Sequence, residues 1–111
     1  SRGGTCMPPD QTTVDAIIRI AHLAQQARDR MGRPFQIITW YCPSEVNARV
    51  GASSLKRHRI GDAIDFYCDG LTGSQLYRAL DPWWSGGLGR YRQFPYLSYI
   101  DARNDRVRWH Q

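Results

Sequence analysis

Apolar residues recur at helical spacing in the first third of the chain. The residues that fall mainly on one helical face are Val14, Ile17, Ile18, Ala21, Ala24 and Met31. Thr12 or Thr13 is suited to cap the start of this helix, and Gly32 followed by Pro34 predicts its end. Residues 1–11 contain two glycines and two prolines, so we expect an extended N-terminal arm there.

The rest of the chain alternates short apolar runs with turn residues, a pattern typical of strands. Strands are predicted at residues 35–40, 62–68, 88–91, 96–101 and 106–109. Thr72 is suited to cap a short helix through Leu80, residues 43–50 are a candidate short helix, and residues 51–54 are a predicted loop. These elements predict one α+β domain over residues 1–111, with an antiparallel sheet and helices packed on one side.

The period of two within strands assigns side chains to the two faces of this sheet. If Asp65 faces a site, Ile64 and Phe66 point to the opposite face and into the core. In the fourth predicted strand, Tyr99 and Asp101 share a face by the same rule. Alternation alone therefore predicts which polar side chains can meet on one side of the sheet.

The composition is that of a folded domain with a basic surface. The chain has 111 residues, 41% of them hydrophobic, which is sufficient for one modest core. Its formal net charge of +5 favours anionic partners. No nucleic-acid-binding motif accompanies that charge, so nucleic acid is not an expected partner. No run of 18 apolar residues occurs, so no transmembrane segment is predicted.

Three cysteines, Cys6, Cys42 and Cys68, allow at most one internal disulfide. A Cys6–Cys68 bridge is the pairing that would leave Cys42 as a free thiol. No C-x-x-C pair is present, so a structural zinc site of the cysteine type is not expected. Cys42 is then either a small buried hydrophobic residue or a thiolate ligand.

The stretch from His58 to Asp65 has the form H-x-x-G-x-A-x-D. A neutral imidazole and a carboxylate are donors suited to Zn²⁺. Gly61 permits a sharp turn between them, and the apolar run around Asp65 predicts a strand that would hold the carboxylate rigidly. The stretch therefore supplies two of the three protein ligands of a catalytic metal site. The alternative is a buried polar pair that only fixes the loop.

Further segments occur in a recognisable order around this motif. They are Ile37-Ile38-Thr39-Trp40-Tyr41, Pro43 with Asn47, Val50-Gly51, Trp83-Trp84, Gly86-Gly87-Leu88-Gly89-x-Tyr91, Asp101-x-Arg103 and Val107-Arg108-Trp109. With them the chain resembles the M15 family of zinc D-alanyl-D-alanine carboxypeptidases, in particular the short form common in cyanobacteria and phages. The resemblance covers nearly the whole chain. It implies the α+β fold shared with hedgehog-type domains and with the dipeptidases of vancomycin resistance.

The resemblance also implies a zinc site with His, Asp and His as protein ligands. His58 and Asp65 match the first two, whereas the third lies in an H-x-D pattern that reads Tyr99-Ile100-Asp101 in this chain. Cys42 stands where the family has an Arg that holds the substrate carbonyl or carboxylate, and Lys56 where it usually has a Ser. All three departures fall where the family keeps its chemistry.

These departures leave the metal and the third ligand open. Tyr99 either packs in the core or contacts a metal, and a phenol with a pKa near 10 is a poor ligand for Zn²⁺ at neutral pH. Zinc is the cofactor that we expect if a metal is bound, with copper or iron as alternatives. Cys42 is the other side chain that would replace the missing His.

Other candidate residues follow from the same positions. The candidates for catalysis are Asp101, Tyr99 and Cys42, with Asp101 as a base or as the partner that orients a ligand. The candidates for substrate binding are Tyr41, Arg103 and Trp84. The alternatives are that Arg103 forms a salt bridge with Asp101 and that Trp84 is part of the core.

Two functions are compatible with this sequence. The first is an M15-like metallopeptidase that cleaves D-amino-acid peptide bonds of peptidoglycan, impaired or altered because the third His and the Arg are replaced. The second is a repurposed fold, which is either a module that binds cell-wall peptide or protein, or a different metal centre. We expect a monomer whose partner is peptidoglycan peptide or another small peptide. The resemblance implies a periplasmic or extracellular location, although this chain shows no signal peptide.

Overall fold

The helices and strands of the chain were located in a computed structural model. It describes residue 8, residues 10–41 and residues 52–111, with the main chain alone at residues 52–55. The elements, in chain order, are α1 (Gln11–Met31), β1 (Phe35–Thr39), α2 (Ala52–Ile60), β2 (Ala63–Cys68), α3 (Gly73–Leu80), β3 (Gly87–Arg90), β4 (Leu97–Asp101) and β5 (Val107–His110). The predicted α+β class is confirmed. None of the helices within these ranges has the length and hydropathy needed to cross a bilayer.

Helix α1 begins earlier than the sequence pattern predicts. Asp10 is the N-cap, and its carboxylate accepts a hydrogen bond of 2.9 Å from the main-chain N–H of Thr13. The caps predicted at Thr12 or Thr13 are therefore wrong, and the predicted arm ends before Gln11. The end of the helix is as predicted, because Gly32 adopts the left-handed conformation with φ of 66°.

The sheet has the strand order β1-β2-β4-β3-β5. The first three neighbouring pairs are antiparallel, as predicted, whereas β5 runs parallel to β3. The short connection after β4 reverses the chain, so β5 runs against β4. Because β4 is itself antiparallel to β3, β5 must then run with β3.

The two faces of the sheet carry different clusters. One face packs against α1 and α3 and forms the main core, which includes Ile64, Phe66 and Ile100. The opposite face carries a smaller aromatic cluster, whose buried members are Ala63, Tyr91, Leu97 and Tyr99, with Trp109 packed against them. The predicted alternation in β2 and β4 is confirmed, and the polar candidates lie on the second face.

Helix α2 replaces the loop that was predicted before His58. Its main chain is helical from Ala52, and the helix carries His58 in its last turn. Gly61 ends the helix with a φ of 106°, and its N–H donates to the carbonyl of Arg57. Arg57 also binds the buried carboxylate of Asp62 through two guanidinium nitrogens. The turn at Gly61 thus connects α2 directly to β2. The short helix predicted at residues 43–50 lies outside the described residues.

Cys68 is a free thiol at the end of β2 and is only 4% exposed. Its partner in the predicted disulfide, Cys6, lies outside the described residues. Burial raises the pKa of the Cys68 thiol. The side chain acts as a small apolar group of the main core.

Candidate functional site

His58 and Asp65 meet on the second face of the sheet. His58 comes from the last turn of α2 and Asp65 from the middle of β2, and both side chains are fully buried. The His58 Nε2 atom lies 2.9 Å from the Asp65 Oδ2 atom. The expected proximity of these two residues is confirmed. Their role as metal ligands stays a prediction.

The remaining polar atoms of this pair are also engaged. His58 Nδ1 donates to the carbonyl oxygen of Trp40 at 2.7 Å, because a carbonyl can only accept. Asp65 Oδ1 accepts a hydrogen bond of 2.5 Å from the hydroxyl of Tyr91. One proton therefore lies between Nε2 and Oδ2, the two atoms whose lone pairs a metal would use. Metal binding here requires that this hydrogen bond is broken and its proton released.

Tyr99 lies beside this pair. It is the direct partner of Asp65 in the β2–β4 register, and its ring meets the His58 ring edge-on with centroids 5.9 Å apart. The indole of Trp109 also packs against the Tyr99 ring, with the ring centroids 4.9 Å apart. Sequence alternation and the resemblance both predicted this position for the ring, and the structure confirms it.

The hydroxyl of Tyr99 serves as a hydrogen-bond donor. It donates to Asp101 Oδ2 at 2.6 Å. Burial raises the pKa of the Tyr99 phenol far above its ordinary value of about 10, and the negative charge of Asp101 raises it further. The phenol therefore keeps its proton at neutral pH. In this arrangement the Tyr99 hydroxyl is engaged by Asp101, and the role of Tyr99 as a metal ligand stays a prediction.

Asp101 is surrounded by donors. Its buried carboxylate accepts hydrogen bonds from the Tyr99 hydroxyl, from the Gly87 N–H at 2.8 Å and from the Arg103 guanidinium at 2.7–3.0 Å. Burial raises the pKa of Asp101, but the hydrogen bonds from Arg103 and Tyr99 outweigh burial and hold it below its ordinary value. A carboxylate in this state is a weak proton acceptor, and the role of Asp101 as catalytic base stays a prediction. Of the two roles considered, the structure supports that of an orienting partner.

Arg103 forms the salt bridge with Asp101 that was one of its two expected roles. Its guanidinium nitrogen Nη2 lies 2.7 Å from Asp101 Oδ2, and the side chain is 22% exposed. Hydrogen bonding to Asp101 raises the pKa of Arg103, so the pair stays ionised. Arg103 thus fixes Asp101, and through Asp101 it fixes the Tyr99 hydroxyl.

The other predicted site residues have different positions. Trp84 is buried in the main core, the alternative considered for it, and donates its indole N–H to the Asp101 carbonyl at 3.1 Å. Its role in substrate binding stays a prediction. Tyr41 is half-buried just after β1, and its substrate role stays a prediction. Lys56 is exposed on α2. Cys42 lies outside the described residues.

Two residues of the site had no role in the sequence interpretation. Tyr91 holds Asp65, and Trp109 packs against Tyr91 with ring centroids 5.1 Å apart as well as against Tyr99. A signal for Trp109 was present at Gly89. A Cβ atom there would lie 2.2 Å from the indole, so only glycine lets the ring lie on the strand.

The described donors do not fit a three-ligand zinc site. Catalytic zinc takes three protein donors and a water molecule. Over residues 10–41 and 52–111, no three His, Cys, Asp or Glu side chains converge. His58 and Asp65 are two donors, and Tyr99 directs its hydroxyl to Asp101.

Comparison with known proteins adds one finding. A family model described as Peptidase M15 matches residues 3–97. The matched range includes His58, Asp65 and Tyr91 and ends before Tyr99. No curated protein and no solved structure shows a significant match to the chain.

Proposed function

Because the chain belongs to the Peptidase M15 family, which supports a peptidase-like function, we propose that it binds D-amino-acid peptides of peptidoglycan and that its hydrolysis of them is strongly impaired. Peptidases of this family are typically zinc-dependent. The peptide partner is proposed from the resemblance to M15 carboxypeptidases, and the loss of activity from the residues of the site. Since peptidoglycan lies outside the cytoplasm, we place the proposed activity in the periplasm or outside the cell.

One observation carries this proposal, namely the hydrogen bond from Tyr99 to Asp101. At the position where the family has its third ligand, this chain has a protonated phenol whose hydrogen points to a buried carboxylate. Removing one electrostatic group that stabilises a transition state commonly lowers the rate by roughly 100-fold or more. We therefore expect slow cleavage even where a peptide is bound.

The rest of the face keeps a fixed arrangement without the third ligand. Trp40 and Asp65 hold the His58 ring at its two nitrogens, and Tyr91 holds Asp65. Arg103 neutralises Asp101. Because these polar groups are already paired with one another, a second function is also favoured. It is that of a module that binds cell-wall peptide and cleaves none of it.

The test is the release of D-alanine from a peptide that ends in D-Ala-D-Ala, with zinc supplied. The unmodified chain is compared with Tyr99→His and with Tyr99→His combined with Cys42→Arg. We expect the double variant to cleave at least about 100-fold faster. Tyr96→His is the matched control, because Tyr96 is 60% exposed and outside the site, and its rate should equal that of the unmodified chain.

If the unmodified chain already cleaves as fast as the double variant, the proposed impairment is wrong. If no variant cleaves, binding of the same peptide, measured by calorimetry, decides between the two functions. Saturable binding without cleavage supports the binding module. Circular dichroism of each variant shows whether the fold is retained.

A further inference from the structure

A cavity of about 280 Å³ lies between the start of α3 and the ends of β3 and β5. Arg90, Arg92 and His110 line it together with the hydroxyl-bearing residues Thr72 and Ser74. None of its lining residues is an aspartate or a glutamate. We call this cavity the Arg90 pocket. Its basic side chains have no carboxylate beside them in the lining. Arg57 and Arg103, by contrast, each form an ion pair with a buried aspartate.

Arg90 is held in place while part of its donor capacity stays unused. Its Nη1 atom donates to Ser74 Oγ at 2.5 Å, and its guanidinium lies over the ring of Tyr77, 5.1 Å from the centroid. Its Nε atom is buried and has no hydrogen-bond partner in the described part of the chain. A buried N–H group without an acceptor is unfavourable, so this corner of the fold lacks an acceptor.

Arg92 and His110 complete the pocket from two other segments. The main chains of Arg90 and Arg92 both bond to Gln111, which keeps the end of β5 beside them. Both side chains, Arg92 and His110, are exposed, and within the described ranges neither forms a hydrogen bond or an ion pair. Partial loss of hydration and the charges of Arg90 and Arg92 lower the pKa of His110. The groups that α3 contributes, Thr72 and Ser74, are uncharged. The pocket is therefore positive, and an anion would relieve the repulsion.

We propose that the Arg90 pocket is a binding site for a phosphate-type oxyanion, separate from the face that carries His58 and Asp65. Guanidinium groups bind phosphate oxygens through charge-assisted hydrogen bonds. The donors come from β3, β5, α3 and the segment after β3, so they approach one centre from several directions. This arrangement suits a tetrahedral anion better than a planar carboxylate. The hydroxyl of Ser74 already accepts from Arg90, which leaves its hydrogen for the anion.

The site also borders the proposed peptide-binding face. Tyr91 lines the Arg90 pocket. Its hydroxyl donates a hydrogen bond to Asp65 in the candidate site. An anion in the pocket would therefore lie next to a residue that positions the candidate site. Free phosphate, a phosphomonoester and a phosphodiester share the required chemistry, and separate titrations distinguish these sources.

The experiment follows the ring signals of the three histidines by NMR while inorganic phosphate is added at constant ionic strength. We expect the His110 signal to shift saturably and its pKa to rise, because a bound anion stabilises the imidazolium. His22 is exposed on α1 and serves as the internal control, whose signal should stay in place. Parallel titrations with glycerol 1-phosphate, dimethyl phosphate and acetate identify which anion the site takes.

Two variants distinguish specific anion binding in the Arg90 pocket from a general effect of the positive surface charge. Arg92→Gln should weaken phosphate binding at least about fivefold, because a charge-assisted donor is lost. Arg78→Gln removes the same charge from an exposed position on α3 outside the pocket, and should leave the affinity unchanged. Equal responses of His22 and His110, or equal weakening by both variants, would overturn the proposal. His110→Gln with calorimetric detection gives the same decision if Arg92→Gln does not fold.

Discussion

At Tyr99, the ring and the hydroxyl group have different tasks. The ring packs edge-on against His58 and at a tilt of 49° against Trp109, as an aromatic core residue does. The hydroxyl donates a hydrogen bond to Asp101. A histidine at this position offers a lone pair to a metal, whereas a phenol that keeps its proton offers a donor. At this position the ring therefore serves packing, and the hydroxyl serves the hydrogen bond to Asp101.

Tyr99→Phe tests this division at the level of one atom. The variant keeps the ring and leaves Asp101 Oδ2 without one of its donors. We expect the free energy of unfolding to fall by about 1.5–3 kcal/mol, as for other hydrogen bonds to charged groups, with no change in bound zinc. Denaturant unfolding and metal analysis measure the two effects.

Tyr96→Phe is the matched control for this variant, because Tyr96 is 60% exposed. Its effect should stay within about 0.5 kcal/mol. A loss of bound zinc in Tyr99→Phe, with unchanged stability, would show that the hydroxyl is a ligand after all.

The positions of these residues could be predicted from the sequence, but their hydrogen bonds could not. Alternation in β4 put Tyr99 and Asp101 on one face, and the motif put His58 near Asp65. The low pKa of Asp101 depends on how many donors surround it. Those donors include the main chain at Gly87, which no side-chain pattern reveals. For that reason the sequence does not reveal that the Asp101 carboxylate is held by several donors.

Among the elements, the turn between α2 and β2 has the strongest influence on the site. It converts seven residues of separation into a contact of 2.9 Å between His58 and Asp65. Gly61 at this turn has a φ of 106°, and a Cβ atom there would lie 3.1 Å from the carbonyl oxygen of Thr13 in α1. The geometry of the pair therefore depends on a glycine that touches a different helix.

Gly61→Ala should consequently be costly. The positive φ and the contact with α1 together predict a loss of roughly 2–4 kcal/mol in the free energy of unfolding. Gly32→Ala is the control, since Gly32 also has a positive φ, but a Cβ atom there would meet no other atom within 4 Å. Its cost should be nearer to about 1 kcal/mol, the penalty of the left-handed backbone alone. Equal losses in denaturant unfolding would contradict the role assigned to the contact with α1.

The positions of the strands were easier to predict than helix α2 or the direction of strand β5. Each predicted strand overlaps an observed one, because alternation in a half-buried sheet is a strong signal. Helix α2 was missed because its small first residues and mostly polar remainder look like a loop. The cap at Asp10 was missed because Thr12 and Thr13 are also good capping types. The direction of β5 leaves no trace in periodicity, since it depends on how the chain reverses after β4.

At the scale of the molecule, the two faces of the sheet have different roles. One face carries the main core, and the other carries the candidate site. The face that packs against α1 and α3 buries the larger apolar cluster, whereas the opposite face holds the buried polar groups His58, Asp65 and Asp101. Substitutions on the second face can therefore change the site while the main core remains intact. This separation allows the residues of the candidate site to vary while the fold of a Peptidase M15 domain is kept.

Zinc affinity, measured by competition with a chelator for the intact chain and for Tyr99→His, tests the central claim most directly. The claim is that, among the described residues, His58 and Asp65 are the two zinc donors that converge and that Tyr99 withholds a third. It predicts that the unmodified chain binds zinc at least about 100-fold more weakly than Tyr99→His, with Tyr96→His unchanged from the unmodified chain. One equivalent of zinc bound by the unmodified chain as tightly as by Tyr99→His would contradict the account.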